Sequence, residues 1–284
     1  MSIFEADLHT HTLASDGTQT PAANVRMAKE AGLSAIAITD HDTVSGIAEA
    51  IAEGSRLGIE IVPGVEISTV AGSQDIHVLG YYIDIRDLRF LKRLESLRET
   101  RNQRNEMMLE RLRELGLDIS MEEVLREVEA TKSEGDTIGR PHMASILMKK
   151  GYVASISEAF ERFLGKGGQA YVNPPRIEPA AAAAWIREAG GSAVLAHPGI
   201  YHDDALVEQI IRGGMDGIEV YHSDHSPADE ARYLALAERH GLLITAGSDF
   251  HGERGGVVFH APIGARRVST DVLKRLQTKR GEFQ

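Results

Sequence analysis

The chain has 284 residues, which suits either one large barrel or two smaller domains, and it contains no cysteine. Disulfide frameworks, thiolate zinc sites and a cysteine nucleophile are thereby excluded, so any metal must be held by histidine and carboxylate. The formal net charge of -11 argues against long duplex nucleic acid as a partner, and no basic leader or long apolar run indicates secretion or a membrane. The expectation is a cytoplasmic protein with no obligate protein partner.

Between Ile3 and Tyr82, β-prone runs (Ile3 to Leu8, Ala35 to Thr39, Ile59 to Glu66, Ile76 to Tyr82) alternate with amphipathic stretches from Pro21 to Ala31 and Gly46 to Leu57. That alternation predicts βα units around a largely parallel sheet. From about Leu88 to Ala170 the pattern is helical without a convincing strand, with Leu91, Leu94, Leu97, Met108, Leu112 and Leu115 at helical spacing. This predicts an α/β barrel of residues 1–97 and 177–284 carrying a helical insertion over 98–176. Residues 98–176 hold 13 Lys+Arg against 13 Asp+Glu, so the whole negative excess belongs to the barrel. After Pro179 the βα alternation resumes: a helix through Ala189, then strands at Ser192 to Ala196, Gly217 to Tyr221 and Leu242 to Ala246, separated by helices at Leu206 to Arg212 and Ala228 to His240.

Six histidines and three carboxylates stand at or beside the ends of strand-like runs: His9, His11, Asp16, His41, Glu66, His77, His197, Asp249 and His251. A lone histidine is most often a hydrogen-bonded core residue or a cap. Nine such groups at recurring strand ends point instead to a polynuclear metal centre, because mixed nitrogen and oxygen donors suit Mn²⁺, Zn²⁺ or Fe²⁺ at hydrolytic sites. Strand ends also ring the mouth of a barrel, where βα loops carry catalysis.

The strings DLHTHTLASDG, TDHDT, GVEIS, DIHVLGY, AHPG and GSDFHG, in this order over nearly the whole chain, resemble the polymerase and histidinol phosphatase (PHP) family of metal-dependent phosphoesterases. The resemblance implies a distorted (β/α)7 barrel with three divalent ions at its mouth. It places His9, His11, Glu66 and Asp249 on the first ion, shares Glu66 with a second held by His77 and His197, and gives Asp16, His41 and His251 to the third. Some members carry histidine where this chain has Asp16, and the harder oxygen donor favours Mn²⁺ over Zn²⁺, with Fe²⁺ a further option. The insertion and the GRPH string at 139–142 resemble the 3′,5′-nucleoside bisphosphate phosphatases and related enzymes that trim 5′ nucleotides from short RNA.

Three divalent ions against three carboxylates would leave a positive centre in an acidic molecule, able to draw in a phosphate and activate water for monoester hydrolysis. His222 is read as an acid or a phosphate contact, and Asp42 as a partner of a ligand imidazole or a substrate hydroxyl, with a helix cap as its alternative. Arg140 and His142, at a helix start opened by Pro141, are read as the grip on a second phosphate. Arg101, Asn102 and Arg104 are read as reaching a phosphate or base, although a solvated helix face is the simpler expectation for Arg104. Tyr171 and Phe163 are assigned to core or hinge packing ahead of base stacking, and His202, His225, His240 and His260 to structural roles. The competing readings are a histidinol-phosphate-type monoester phosphatase, a non-catalytic nucleotide- or metal-sensing module, and a structural metal site. The last is disfavoured because nine donors exceed the four of a closed tetrahedral site.

Overall fold

The computed structural model describes residues 5–72, 74–128, 135–254 and 256–278; Ile3 and Phe4, in the first predicted strand, lie outside them. The first half alternates as the apolar periodicity predicts: β1 (Glu5–Asp7), α1 (Pro21–Glu30), β2 (Ala35–Ile38), α2 (Ile47–Leu57) and β3 (Glu60–Ala71). Thr20 caps α1 by accepting from the Ala23 N–H, and Pro21 fits the first turn, where a missing N–H costs nothing.

The largely parallel sheet holds for β1, β2 and β3 but not beyond. β4 (Gln74–Tyr81) returns directly from β3 as an antiparallel partner, in register from Gly64 opposite Tyr81 to Ala71 opposite Gln74, and then pairs antiparallel with β5 (Ser192–Leu195). The physical reason is the linker: only a tight turn beginning at Gly72, with φ +53°, separates the two strands, far too short for a crossover helix. Parallel pairing resumes through β6 (Gly217–His222) and β7 (Leu243–Gly247).

A helical layer lies between β4 and β5 in sequence: α3 (Leu88–Glu114), α4 (Met121–Val128), α5 (Arg140–Lys149), and α6 (Ile156–Ala159) running into a wider turn at Phe160–Leu164. α7 (Pro179–Glu188) leads into β5, α8 (Asp204–Arg212) and α9 (Pro227–His240) flank β6, and the chain ends in a small hairpin of β8 (Glu253–Arg254) and β9 (Val257–Val258), then β10 (Val268–Ser269) and α10 (Asp271–Thr278). The strand order is β10-β1-β2-β3-β4-β5-β6-β7. Closure comes from backbone bonds between the ends of β1 and β7: Leu8 N–H to the Ala246 carbonyl at 3.0 Å, Asp249 N–H to His9 at 2.9 Å and His11 N–H to Phe250 at 2.8 Å. Inside, Ala6, Leu8, Val62, Leu79, Tyr81 and Val194 fill the barrel, and α10 adds Val272, Leu273 and Leu276.

α3 joins two hydrophobic cores. Phe90, Leu94 and Leu97 pack with the barrel, whereas Met108, Leu109 and Leu112 pack with α4, α5 and the Phe160 turn. Between these apolar segments the buried residues of the helix are Arg101, Arg104 and Asn105. A helix of 27 residues spans about 40 Å, so its polar middle falls where the two cores meet.

Candidate active site

Glu66, in the middle of β3, is the hub of the barrel mouth. Its Oε2 lies 3.4 Å from His9 Nε2, 3.1 Å from His11 Nε2 and 3.0 Å from His41 Nδ1, and its Oε1 lies 2.7 Å from His77 Nδ1 and 3.0 Å from His197 Nε2. The antiparallel turn is what delivers His77: it stands opposite Ser68, diagonal to Glu66 on the same face of the hairpin. Asp249 Oδ1 approaches His9 Nε2 at 3.3 Å and His11 Nε2 at 3.2 Å. Asp16 faces His251 at 3.3 Å and His11 and His41 at 3.7 Å. All nine sequence-predicted donors are thus brought together, eight of them buried and His77 partly so.

These approaches are poor hydrogen bonds but good ligand geometry. His9 Nε2, His11 Nε2, His41 Nδ1, Asp16 Oδ1 and Asp249 Oδ1 are buried without hydrogen-bond partners, which is costly for polar atoms unless a cation takes their lone pairs. Three groupings, His9–His11–Glu66, His41–Glu66–His77 and His11–Asp16–His41–His251, each place donor atoms close enough to share an ion. Neighbouring acceptors fix the ring tautomers accordingly. His9 Nδ1 faces Glu219 Oε1 at 3.1 Å, His11 Nδ1 faces Ser15 Oγ at 3.3 Å, and His251 Nδ1 faces the Asp249 carbonyl at 2.8 Å, leaving each Nε2 lone pair turned to the centre. Ser15 in turn donates to Asp40 at 2.5 Å.

Electrostatics follow the same layout. Burial alone would raise the Glu66 carboxyl, but the imidazoles of His77, His41 and His9 hold it well below the usual carboxylate range. Burial pulls the His11 imidazole down, yet the Asp249 and Glu66 carboxylates outweigh it and push it up to about 10. His197, where burial dominates, drops to about 4. The backbone is forced as well: Asp42, His197, Asp249 and His260 all have positive φ, a conformation that non-glycine residues adopt at a cost of about 1–3 kcal/mol each.

A second wall faces this cluster across a cavity of about 300 Å³. It carries Arg101, Arg104, Arg140 and Arg176, with Phe160 and Pro141 beside them and Ile200 and Phe259 on the barrel side. Arg101 is buried on Asp42, donating from Nη2 at 2.6 Å, and on Ser68 Oγ at 2.5 Å. Arg140 donates to Asp75 Oδ2 at 3.0 Å, and Arg176 pairs with Asp75 Oδ1. Arg104 is 4 % exposed, donates only to Asn105 Oδ1 at 3.1 Å, leaves its Nε unpartnered and has no ion pair among the described residues. Burial, then the guanidinium groups of Arg140 and Arg101, drive Arg104 well below its ordinary range.

Several expectations for individual residues change. Arg104 lies on no solvated face: it is buried and lines the cavity beside Arg101. Asn102 points to solvent, one residue round the helix from Arg101, and does not line the cavity. His142 turns back to its own helix start, where Nδ1 accepts from the Gly139 N–H at 3.0 Å, and it too is absent from the cavity wall. Asp42 is neither a helix cap nor hydrogen-bonded to an imidazole; it accepts from Arg101 and from the Ser68 N–H at 2.8 Å. His222 is fully enclosed at the end of β6, its Nδ1 accepting from the Asp224 N–H at 3.1 Å and its Nε2 donating to Asp249 Oδ2 at 3.2 Å. His260, expected to be structural, instead lines the cavity, 3.4 Å from Asp249 and 2.6 Å from Asp224. Phe163 is core, as expected.

Glu219, Asp75 and Arg176 went unnoticed in the sequence. Glu219 lies two residues inside β6 in an otherwise apolar run, GIEVY, and an acid buried in such a run is a signal that could have been used. It also accepts from the His197 N–H at 2.8 Å, so one carboxylate steadies two of the nine donors. Close approach is built into the backbone as well: a Cβ on Gly247 would lie 2.1 Å from the His9 Cβ and 2.7 Å from Glu219 Oε1.

A closed α/β barrel whose mouth gathers imidazoles and carboxylates around shared points defines a metal-dependent hydrolase class. The PHP domain profile matches residues 7–172, and the chain belongs to that family of metal-dependent phosphoesterases. It is 38 % identical over 252 residues to the 5′-3′ exoribonuclease Rnm of Escherichia coli, covering 86 % of this chain and 84 % of that protein. It is 36 % identical over 264 residues to the 3′,5′-nucleoside bisphosphate phosphatase of Chromobacterium violaceum, covering 89 % and 90 %. The crystal structure of an amidohydrolase from Chromobacterium violaceum, with bound sulfate and no metal, superposes with a TM-score of 0.84 at 32 % identity over 96 % of both chains. No helix among the described residues is long and apolar enough to cross a membrane.

Proposed function

We propose that this phosphoesterase removes the 3′-phosphate from nucleoside 3′,5′-bisphosphates. The observation that carries the reading is Arg104: a buried guanidinium with an unpartnered Nε and no ion pair among the described residues, crowded by like charges on the wall opposite the metal donors. An isolated buried cation is costly, and an anion of the substrate is the missing counterpart. One phosphate would meet the imidazole and carboxylate cluster and the second the arginines, a spacing that a single-phosphate substrate such as histidinol phosphate leaves unused. Phe259, Ile200 and Phe160 give the cavity an apolar flank suited to a base, and about 300 Å³ is enough for one nucleotide unit.

The cluster would hold three divalent ions, one on His9, His11, Glu66 and Asp249, a second on Glu66, His77 and His197 and a third on Asp16, His41 and His251, with Mn²⁺ favoured by the oxygen donor Asp16. Bound there, such ions supply positive charge to the phosphoryl oxygens and a water ionised near neutral pH. The protein's own part is positional. Arg104, Arg140 and Arg176 fix the distal phosphate, which aligns the scissile ester with the cluster. His260, rather than the enclosed His222, faces the leaving oxygen, with Asp224 accepting from its Nδ1 and orienting Nε2.

A 5′-3′ exoribonuclease acting on short RNA uses the same contacts, with a phosphodiester in place of the 3′-phosphate, and the likeness to Rnm supports it as the second reading. The deciding assay compares turnover of adenosine 3′,5′-bisphosphate, a 5′-phosphorylated tetranucleotide and histidinol phosphate in Mn²⁺. Preference for the bisphosphate by at least about tenfold in kcat/KM is expected; faster turnover of histidinol phosphate, unaffected by Arg104→Met, overturns the reading.

A further inference from the structure

We propose that Asp75 limits the arginine wall to a single terminal monophosphate, so that the site discriminates against substrates bearing a 5′-diphosphate. The inference rests on the bisphosphate reading above and names a specificity determinant within it. Asp75 lies on β4, two residues before His77, and does not line the cavity; it stands behind two arginines that do. Its Oδ2 accepts from Arg140 Nη2 at 3.0 Å, while its Oδ1 accepts from Arg176 Nη2. Arg176 is steadied further by Asn173 Oδ1 at 2.5 Å, and the Arg140 guanidinium sits between the Phe160 and Tyr171 rings, 5.8 and 5.9 Å from their centroids. Both guanidinium groups are therefore held from behind and aimed into the cavity.

The charges of the wall are countable. Among the described residues four guanidinium groups face two carboxylates, since Asp42 takes Arg101, Asp75 is shared by Arg140 and Arg176, and Arg104 makes no ion pair. Two positive charges remain, and a terminal phosphate monoester carries about -1.5 to -2 at neutral pH. One such group neutralises the wall. A further phosphate brings additional negative charge with no uncommitted cation to meet it, in a site where Arg101, Arg104 and Arg176 are all less than a tenth exposed and water screens little. Asp75 is then a positioning residue with two effects: it aims Arg140 and Arg176, and it subtracts one charge from their capacity.

The test is the kcat/KM ratio for release of the 3′-phosphate from adenosine 3′,5′-bisphosphate and from adenosine 3′-phosphate 5′-diphosphate, using metal-loaded full-length protein. The wild type is expected to favour the former by about tenfold or more, the discrimination appearing in KM. Asp75→Asn keeps the shape and removes the charge, and it should erode that preference about tenfold in the ratio of kcat/KM for the two substrates, because any loss of aim falls on both alike. Asp75→Glu restores the charge and should recover most of the preference. A wild type indifferent to the extra phosphate overturns the inference, as does a folded Asn variant with the wild-type ratio; if Asp75→Asn fails to fold, the wild-type and Asp75→Glu ratios still decide. Absence of turnover on the bisphosphate itself overturns the substrate reading instead, so the two failures are separable.

Discussion

The two walls of the cavity are built on opposite principles. On the barrel side the unpartnered atoms are lone-pair donors: Glu66, Asp16 and Asp249 are ringed by imidazoles, whose outer nitrogens meet Glu219, Ser15 and a backbone carbonyl while the inner atoms of His9, His11, His41, Asp16 and Asp249 have no hydrogen-bond partner. On the insertion side Arg104 makes no ion pair among the described residues, and Arg140 and Arg176 divide one carboxylate between them. On the proposed reading the barrel side holds cations that stay and the arginine side receives an anion that comes and goes. That difference predicts different responses to mutation, with loss of metal and turnover on one wall and loss of substrate affinity with a gain in stability on the other.

The largest effect is expected at Glu66, because both of its oxygens are shared among five imidazoles. Glu66→Gln removes the bridging charge, and turnover should fall by about a thousandfold or more, the several kcal/mol that a metal centre contributes, with less metal per chain by elemental analysis. Undiminished metal content and turnover would break the comparison at its root.

Arg104→Met sharpens the contrast. Loss of charge-assisted hydrogen bonds to the distal phosphate should raise KM for the bisphosphate about 10- to 100-fold. Removing an uncompensated buried cation should at the same time stabilise the fold, by about 1–3 kcal/mol in urea unfolding. A variant that is both less stable and unaffected in KM would show that Arg104 serves packing alone.

How much of this was legible in the sequence divides along the same line. The nine barrel donors were readable because each sits in a short string in or just after a strand-like run, although Glu66 and His77 prove to lie inside β3 and β4 and Asp16 in the loop after β1. The arginine wall was legible only in part: Arg101, Arg104 and Arg140 were named as phosphate or base contacts, but Arg176 was not, because the members come from α3, the start of α5 and the YVNPPR segment, and only tertiary packing makes them neighbours. Arg104 looked like part of a solvated helix face since nothing in the local pattern shows that the middle of α3 is buried against the cavity. The antiparallel β3–β4 turn was likewise missed: apolar runs reveal strands but not their direction, and the short spacing around Gly72 was the available clue. His222 and His260 exchanged places for a similar reason, as adjacency to a strand end does not say which side of Asp249 a ring occupies.

A smaller effect is expected one layer behind the donors. Glu219→Gln keeps the shape but weakens the acceptor for His9 Nδ1, and metal affinity should fall about 10- to 100-fold in a chelator competition, with the melting temperature of the metal-saturated protein little changed. Retention equal to wild type would mean that packing, not Glu219, orients His9.

The smallest effect belongs where the walls meet. Phe259 follows the β8–β9 hairpin, lies against the His251 and His260 rings at 6.1 and 4.8 Å, and packs on the insertion core while lining the cavity. If its ring carries the base, Phe259→Ala should raise KM for adenosine 3′,5′-bisphosphate about 5- to 30-fold, the lower part of the 1–3 kcal/mol typical of a base on an aromatic ring. Ribose 3,5-bisphosphate, which keeps both phosphates and lacks the base, should show no such rise. An equal rise for both substrates would mean that the ring positions His251 and the insertion instead, so the contrast between the two walls would extend to a third element that serves them together.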